Sequence, residues 1–197
     1  MQFDRASYLN TRRDAWVEIN LNNIEHNILE FKKYLKKGAK LFAVVKADAY
    51  GHGAVTIAPI LLASGVDFLG VSSIDEGMQL REAKINAPIL ILGAVPVWAF
   101  DWAAANNMSL SIFLDEHIEA CRIAYEKTGI KPKVHVKIDT GMNRIGVRPE
   151  NAAEFIKQVQ KCDFIELEGI FTHFACAEDE KATKNQYEKF RKVVDSV

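Results

Sequence analysis

A lysine stands at the end of an apolar run in the segment 43-AVVKADAYGHG-53. Small and β-branched residues are typical of a buried strand, and Lys46 follows them directly. Because an ammonium group is costly to desolvate, such a lysine either points into solvent or serves a chemical purpose. In an apolar setting the amine loses its charge and can form a Schiff base with a carbonyl cofactor, of which pyridoxal phosphate is the obvious candidate.

Further reactive or charged residues follow other predicted strands. The segment 134-VHVKIDTGMNRIGV-147 places Lys137, Asp139 and Arg144 around a glycine turn. On spacing alone, this group is a surface charge cluster or a binding site. His173, flanked by aromatic residues, is either packed in the core or available to stack on a ring or donate a hydrogen bond. In parallel α/β folds, the edge where strands end carries the chemistry.

Composition excludes several classes of partner. The chain has 197 residues, of which 49% are hydrophobic and 26% are charged, with a net charge of −1. A near-neutral chain is not expected to bind nucleic acid or an anionic membrane, which require concentrated basic charge. No apolar run reaches the length of a membrane span, and the first residues lack the apolar core of a secretory signal.

Cysteine and histidine usage favours a reducing, cytoplasmic setting without a metal site. Cys121, Cys162 and Cys176 are odd in number and widely spaced, and we expect them to pack as small apolar residues. No zinc-ligand spacing occurs. His26 and His117 lie in helical segments and are expected to face water.

Strand and helix patterns alternate along the chain. Six apolar runs are predicted to be strands: 41–45, 68–72, 88–93, 109–113, 134–139 and 165–171. A further strand is predicted over 15–21. Helical spacing predicts helices over 22–37, 53–65, 75–84, 150–161 and 178–197. This alternation predicts a parallel sheet covered by helices. Six βα units fit either an open doubly wound sheet or a (β/α)₈ barrel cut short.

Several motifs together resemble those of one enzyme family. Segment 43–53 closely resembles the pyridoxal-phosphate lysine motif of alanine racemases, and 134–147 and 169-GIFTHFA-175 resemble two further signatures. The stretches 16-WVEINLNNIEHN-27, 70-GVSSIDEGMQLR-81 and 89-ILILG-93 are similar to the family's intervening segments. The resemblance runs over nearly the whole chain, in the family's order.

The resemblance implies a set of cofactor-binding residues. Lys46 is similar to the lysine that holds pyridoxal phosphate as an internal aldimine and acts as one of two catalytic bases. Tyr50 resembles the tyrosine that binds the cofactor phosphate, and Leu92 a residue that lines the pocket. His173 matches the histidine against the cofactor ring. Arg144 resembles the arginine that bonds the cofactor's phenolic oxygen and orients the substrate carboxylate.

Lys137 occupies the position that is N-carboxylated in many family members. A carbamate there would turn a cation into an anion and pair with Arg144. This modification is implied by the resemblance and not by the charge spacing.

The family fold is a (β/α)₈ barrel followed by a β-rich domain. Residues 1–197 therefore resemble a barrel domain truncated after about six βα units, without the β-rich domain and without the partner-subunit tyrosine that serves as second base. The implied activity is interconversion of L- and D-alanine by a cytoplasmic homodimer, which supplies D-alanine for bacterial peptidoglycan. The isolated segment is expected to be inactive or nearly so.

Two alternatives remain open at this stage. The first is a non-catalytic protein that carries pyridoxal phosphate, although such a carrier has no evident need for Lys137 paired with Arg144. The second is a racemase of serine or another amino acid, which nothing in the sequence separates from an alanine enzyme.

Overall fold

Six parallel strands form one sheet in which every strand pairs with its neighbours in sequence. The computed structural model describes residues 16–197. The strands are β1 (Phe42–Val44), β2 (Phe68–Val71), β3 (Ile89–Ile91), β4 (Met108–Ile112), β5 (Lys133–Lys137) and β6 (Glu166–Phe171), in the order β1-β2-β3-β4-β5-β6. Among the described residues, no helix is long and apolar enough to cross a membrane.

Helices connect the strands and cover one side of the sheet. They are α1 (Leu21–Tyr34), α2 (Lys46–Gly51), α3 (Ala54–Ala63), α4 (Ile74–Glu82), α5 (Phe100–Ala105), α6 (Asp115–Thr128), α7 (Pro149–Gln160) and α8 (Glu180–Val194), with a short 3₁₀ helix at Val97–Ala99. The face of α7 that carries Phe155, Ile156 and Val159 is buried in the core. The predicted α/β sheet and its six predicted strands, from 41–45 to 165–171, are confirmed.

The sheet is strongly curled, as a barrel wall is. Phe68 of β2 and His135 of β5 lie with ring centroids 6.4 Å apart. Three strand spacings separate these strands and would place them about 14 Å apart in a flat sheet. His135 also contacts the ring of Phe171 in β6 at 6.4 Å, and Phe68 stacks on Phe42 of β1 at 6.1 Å. One layer of rings therefore joins both ends of the sheet across its concave face.

A cluster of polar side chains adjoins this layer of rings. Glu168 accepts a hydrogen bond from the hydroxyl of Ser109 in β4 and lies 3.8 Å from Nζ of Lys133. Nε2 of His135 is 3.3 Å from the same carboxylate, although the ring is turned so that no hydrogen bond forms. Burial lowers the pKa of His135, against the opposing effect of Glu168. These contacts again link strands that a flat sheet would separate.

Both edges of the sheet lack a pairing strand among residues 16–197. β1 pairs only with β2, and β6 only with β5. Phe42 and Val44 of β1 point to the concave face and keep 36% and 39% of their surface exposed. The sheet is thus curled but not closed by these residues.

The strand predicted over 15–21 is wrong. Residues 16–20 form no regular structure, and Ala15 lies outside the described residues. The side chain of Asn20 instead accepts hydrogen bonds from the backbone N–H groups of Asn22 and Asn23, which starts α1 at Leu21. These residues pair with none of the six strands.

The expectation that His117 faces water is also wrong, whereas His26 is exposed as predicted. His117 is 4% exposed, and its ring packs against Phe113 and Phe100 with centroids 4.7 and 5.6 Å away. Its Nδ1 accepts a hydrogen bond from the backbone N–H of Phe113. Burial lowers the pKa of His117, with Glu116 opposing the shift.

The three cysteines are free, and only one is fully packed as expected. Cys121 is buried, and burial raises the pKa of its thiol to about 12. Cys162 is half-buried, while Cys176 is exposed, so the packing prediction is wrong for Cys176.

We expect the free energy of unfolding to fall as the pH drops from about 7 towards 5. In the unfolded chain a histidine has a pKa of about 6.5 and takes up a proton in this range, whereas folded His117, whose pKa is lowered by burial, does so less readily. His117→Asn, which retains an acceptor for the Phe113 N–H, should show a shallower loss. The measurement is the free energy of unfolding by urea across this pH range.

His26→Asn is the matched control, because His26 lies exposed on a helix; it should keep the wild-type slope. Part of the slope should survive in His117→Asn, since burial also lowers the pKa values of His135 and His173. An unchanged slope in His117→Asn would contradict the prediction.

Candidate functional site

The predicted site residues lie at the carboxyl ends of the strands. Lys46 directly follows Val45 after β1, and Lys137 is the last residue of β5. His173 follows β6, Arg144 lies in the loop between β5 and α7, and Leu92 follows β3. In a parallel sheet, these ends share one edge.

Electrostatic coupling shows that four of these residues are close in space. The pKa of His173 is lowered first by burial and then by the positive charges of Arg144, Lys137 and Lys46. These residues come from the end of β5 and from the segments after β1, β5 and β6, so the curl of the sheet brings them together. An excess of positive charge at one place favours an anionic ligand. Within residues 16–197, no cluster of His, Cys, Asp or Glu could hold a metal ion.

Lys137 is buried rather than part of a surface charge cluster. Its side chain is 3% exposed, Nζ donates to the carbonyl of Ile138 at 3.3 Å, and it lies 5.1 Å from the ring centroid of Phe171. Burial lowers the pKa of Lys137 to about 8; Asp139 opposes the shift and Arg144 adds to it. A sizeable fraction of this amine is therefore neutral near physiological pH.

Lys46 and Tyr50 are neighbours. Nζ of Lys46 lies 5.9 Å from the centroid of the Tyr50 ring, and Tyr50 keeps 63% of its surface exposed. Lys46 itself is half-buried. Both side chains therefore border an open space at the end of β1.

The backbone between these two residues is left-handed. Ala47, Asp48, Ala49 and Tyr50 have φ between 51° and 55°. L-residues avoid this region at roughly 1–2 kcal/mol each, so four in succession store about 4–8 kcal/mol of strain. Strained backbone persists only where the surroundings hold it, and it clusters at functional sites.

Glu76 holds the start of this strained turn, and the sequence analysis did not single it out. Its Oε1 accepts from the N–H of Ala47 at 2.7 Å, and its Oε2 accepts from the N–H and hydroxyl of Ser72 at 2.6 and 2.8 Å. Partial burial would raise the pKa of Glu76, but these hydrogen bonds outweigh it and hold the pKa below its usual value. The Ser73–Glu76 spacing is that of a helix capping box, which signals a helix start but not a link to Lys46.

The loop that carries Arg144 folds back onto β5. The N–H of Asp139 donates to the carbonyl of Val147, and the N–H of Val147 donates to that of Lys137, both at 2.8 Å. Gly146 has φ +128°, and a Cβ there would lie 2.7 Å from the backbone nitrogen of Asp139. Only glycine permits this approach, which sets Arg144 beside the end of β5.

The segment that carries His173 is held by Gln186 of α8, another residue that the sequence analysis missed. Gln186 is 6% exposed; it donates to the carbonyl of His173 at 3.2 Å and to the hydroxyl of Thr140 at 3.0 Å, and accepts from the N–H of Ala175. The hydroxyls of Thr140 and Thr172 lie 2.7 Å apart. This network fixes the loops after β5 and β6 to each other.

Leu92 lies on the concave face of the sheet. It is half-buried, and its Cδ1 lies over Gly70, where an added Cβ would approach it to 3.0 Å. The ring of Phe42 covers Gly70 as well. Leu92 is thus part of the apolar wall beneath the strand ends.

The fold and site define an α/β barrel-type domain with a cationic centre at the carboxyl ends of its strands. The chain matches the family described as alanine racemase, N-terminal domain, over residues 19–197. Alanine racemase 1 of Oceanobacillus iheyensis is 42% identical over 188 residues, which cover 94% of this chain and 50% of that protein. The chain belongs to the alanine racemase family, in its N-terminal domain.

Solved structures agree with this assignment. Alanine racemase of Bacillus anthracis with bound L-Ala-P is 35% identical, with a TM-score of 0.86 over 94% of this chain and 49% of that one. Histidine racemase of Leuconostoc mesenteroides is 29% identical, with a TM-score of 0.78 over 87% of this chain and 46% of that one. This chain spans about half the length of the relatives it matches. The predicted family and barrel-type fold are confirmed.

Replacing Lys137 by Met should stabilise the protein by about 1–3 kcal/mol at pH 7, because a buried charge with a lowered pKa is removed. The gain should shrink as the pH rises from about 8 to 10, because the folded lysine is neutral in this range and its neutralisation costs less as the pH approaches the unfolded pKa of about 10.4. The measurement is urea unfolding in buffer purged of carbon dioxide.

Lys133→Met is the control: its side chain keeps 36% of its surface exposed and lies 3.8 Å from Glu168, so no comparable gain is expected. A loss of stability in Lys137→Met, or a gain that is independent of pH, would show that burial does not disfavour the charge on Lys137.

Proposed function

We propose that this chain is the cofactor-binding barrel portion of a pyridoxal-phosphate-dependent alanine racemase. One observation carries the proposal: Lys46, Lys137, Arg144 and His173 all lie at or after strand ends on one edge of the curled sheet, where the three cations lower the pKa of His173. Membership of the alanine racemase family supports the same conclusion.

The residues fit an anionic aromatic aldehyde. The amine of Lys46 and the ring of Tyr50 border an open, positively charged space, as such a group requires. When bound, pyridoxal phosphate supplies an electron sink for negative charge at the Cα of an amino acid. In this proposal the amine of Lys46 would condense with the aldehyde carbon, with release of one water molecule, and the Tyr50 hydroxyl would bind the phosphate.

The other site residues orient the substrate and tune the charge. Arg144 binds the substrate carboxylate and the phenolic oxygen of the cofactor, and Leu92 forms part of the apolar wall. Burial and the neighbouring cations lower the pKa of His173, which favours its neutral form. In this proposal His173 would pack against the cofactor ring. The amine of Lys46 also removes or returns the Cα proton on one face of the substrate.

Lys137 is proposed to be carboxylated. The neutral fraction of its amine, whose pKa is about 8, can attack carbon dioxide; a nitrogen–carbon bond forms, one proton leaves, and a carbamate anion remains. This change would relieve the repulsion between Lys137 and Arg144. That repulsion contributes, after burial, to the lowered pKa of Lys137.

The complete enzyme is proposed to be longer than this chain. Residues 1–197 would form part of the barrel domain, and a β-rich domain of the partner subunit in a homodimer would supply the second base. The half-length coverage of the relatives supports this view. A cytoplasmic location and a role in supplying D-alanine for peptidoglycan stay predictions.

A second candidate is a racemase that acts on another amino acid. The likeness to the histidine racemase of Leuconostoc mesenteroides, at 29% identity, favours keeping it, because closely similar barrels accompany different substrates. Comparing alanine, serine and histidine as substrates of the complete enzyme tests it. A carrier without catalysis is less well supported, because a carrier does not need Arg144 beside a buried Lys137.

Incubation with pyridoxal 5′-phosphate, followed by borohydride reduction and peptide mass mapping, should place the pyridoxyl group on Lys46. Lys46→Ala should abolish labelling at this site, because the amine of Lys46 is the group proposed to hold the aldehyde beside Tyr50. Lys40→Ala is the control, since Lys40 lies exposed just before β1 and should not affect the result. Equal labelling of many lysines would contradict the proposed function.

In deuterated water the loaded chain should exchange the Cα hydrogen of one alanine enantiomer, because Lys46 serves one face only. Inversion should be slower than exchange by about a hundredfold or more, as expected when one general base is missing. Mass spectrometry and chiral chromatography measure the two rates. Lys46→Arg should lose the exchange, and racemisation at an ordinary enzyme rate would refute the single-base view.

A further inference from the structure

Glu76 links the backbone beside Lys46 to the end of the second strand. One carboxylate oxygen accepts from the N–H of Ala47 at 2.7 Å, and the other accepts from Ser72, the residue that follows β2. Ala47 is the residue directly after Lys46. A single side chain of α4 therefore joins two strand ends at the proposed cofactor site.

The hydrogen bond from Ala47 to Glu76 satisfies the first N–H group of the left-handed turn. The first N–H groups of any helical turn have no partner within the turn, so the N–H of Ala47 requires an outside acceptor. Inside the turn, Ala49 donates to the carbonyl of Val45 at 2.9 Å. At the far end, Oδ1 of Asp48 accepts from Ala54 at 2.7 Å. Glu76 thus anchors the start of the strained segment.

Hydrogen bonds to Glu76 and to the sheet fix the backbone on both sides of Lys46. Before it, the N–H of Val45 donates to the carbonyl of Gly70 at 2.8 Å; after it, Ala47 is bound by Glu76. Without the second contact, the left-handed residues could relax towards the ordinary right-handed region. The Lys46 amine would then lose its fixed position beside Tyr50.

We propose that Glu76 is a positioning residue that holds the left-handed turn and thereby sets the Lys46 amine for covalent loading by the cofactor. The inference rests on the proposed function and adds to it a residue outside the cofactor-binding set. The lowered pKa of Glu76 agrees with a carboxylate that stays ionised and accepts several hydrogen bonds.

The test compares Glu76→Gln and Glu76→Ala with a matched control, Asp67→Asn. Oδ2 of Asp67 accepts from the N–H of Leu41 at 2.8 Å, so it is also a carboxylate bound to backbone at the first strand, but at the opposite end. The full 197-residue chain is used throughout. All variants are first checked for a folded state by circular dichroism and thermal unfolding.

Two readouts are taken on each variant. The first is the concentration of pyridoxal 5′-phosphate that half-saturates Lys46, measured by borohydride reduction and mass mapping. The second needs no cofactor: it is amide hydrogen exchange over residues 46–53. Glu76→Gln should raise the half-saturating concentration by about tenfold, as for loss of a charged hydrogen bond, and Glu76→Ala by more.

Faster exchange over residues 46–53 in both Glu76 variants, with little change in Asp67→Asn, would support the inference. If the Glu76 variants load Lys46 as the wild type does, or resemble Asp67→Asn in both readouts, Glu76 is an ordinary fold contact and the inference is wrong. Failure of the wild type to load Lys46 would instead overturn the proposed function, and with it the loading role of Glu76. The exchange data would then still report whether Glu76 holds the turn.

Discussion

The ring contact between Phe68 and His135 holds the second and fifth strands together across the concave face of the sheet. Parallel strands in sequence order could equally form an open, gently twisted sheet, in which the ends of β1 and β6 would lie far apart. The curl of the sheet brings the ends of β1 and β6 close together. Because Lys46 follows the first strand and His173 the last, the cationic site exists only when the sheet is bent in this way.

Bringing several cations together is unfavourable unless something compensates for their repulsion. The protein reduces the problem at Lys137, whose burial lowers the pKa to about 8, and at His173, whose pKa is lowered by burial and by the neighbouring cations. An anionic phosphate, a substrate carboxylate or a carbamate at Lys137 would each offset the remaining charge. This excess of positive charge favours an anionic ligand at the strand ends.

The left-handed turn after Lys46 combines local backbone strain with a position at the candidate site. Alanine at Ala47 and Ala49 offers no intrinsic preference for positive φ, and the turn depends on acceptors elsewhere in the fold. Rules of local preference are broken mainly where a site requires it and the surroundings hold the result. Here the exception lies between Lys46 and Tyr50, the two residues that border the open space at β1.

The sequence by itself determined the strand–helix alternation, the six strands and the placement of Lys46, Lys137 and His173 at or after strand ends, because periodicity and turn residues act locally. It also carried the family motifs. The tertiary structure decided the rest: the curl, the burial of Lys137 and His117, the absence of a strand at residues 16–20, and the roles of Glu76 and Gln186. These depend on contacts between residues distant in sequence, such as Glu76 with Ala47, and no local pattern encodes which distant neighbour a side chain meets.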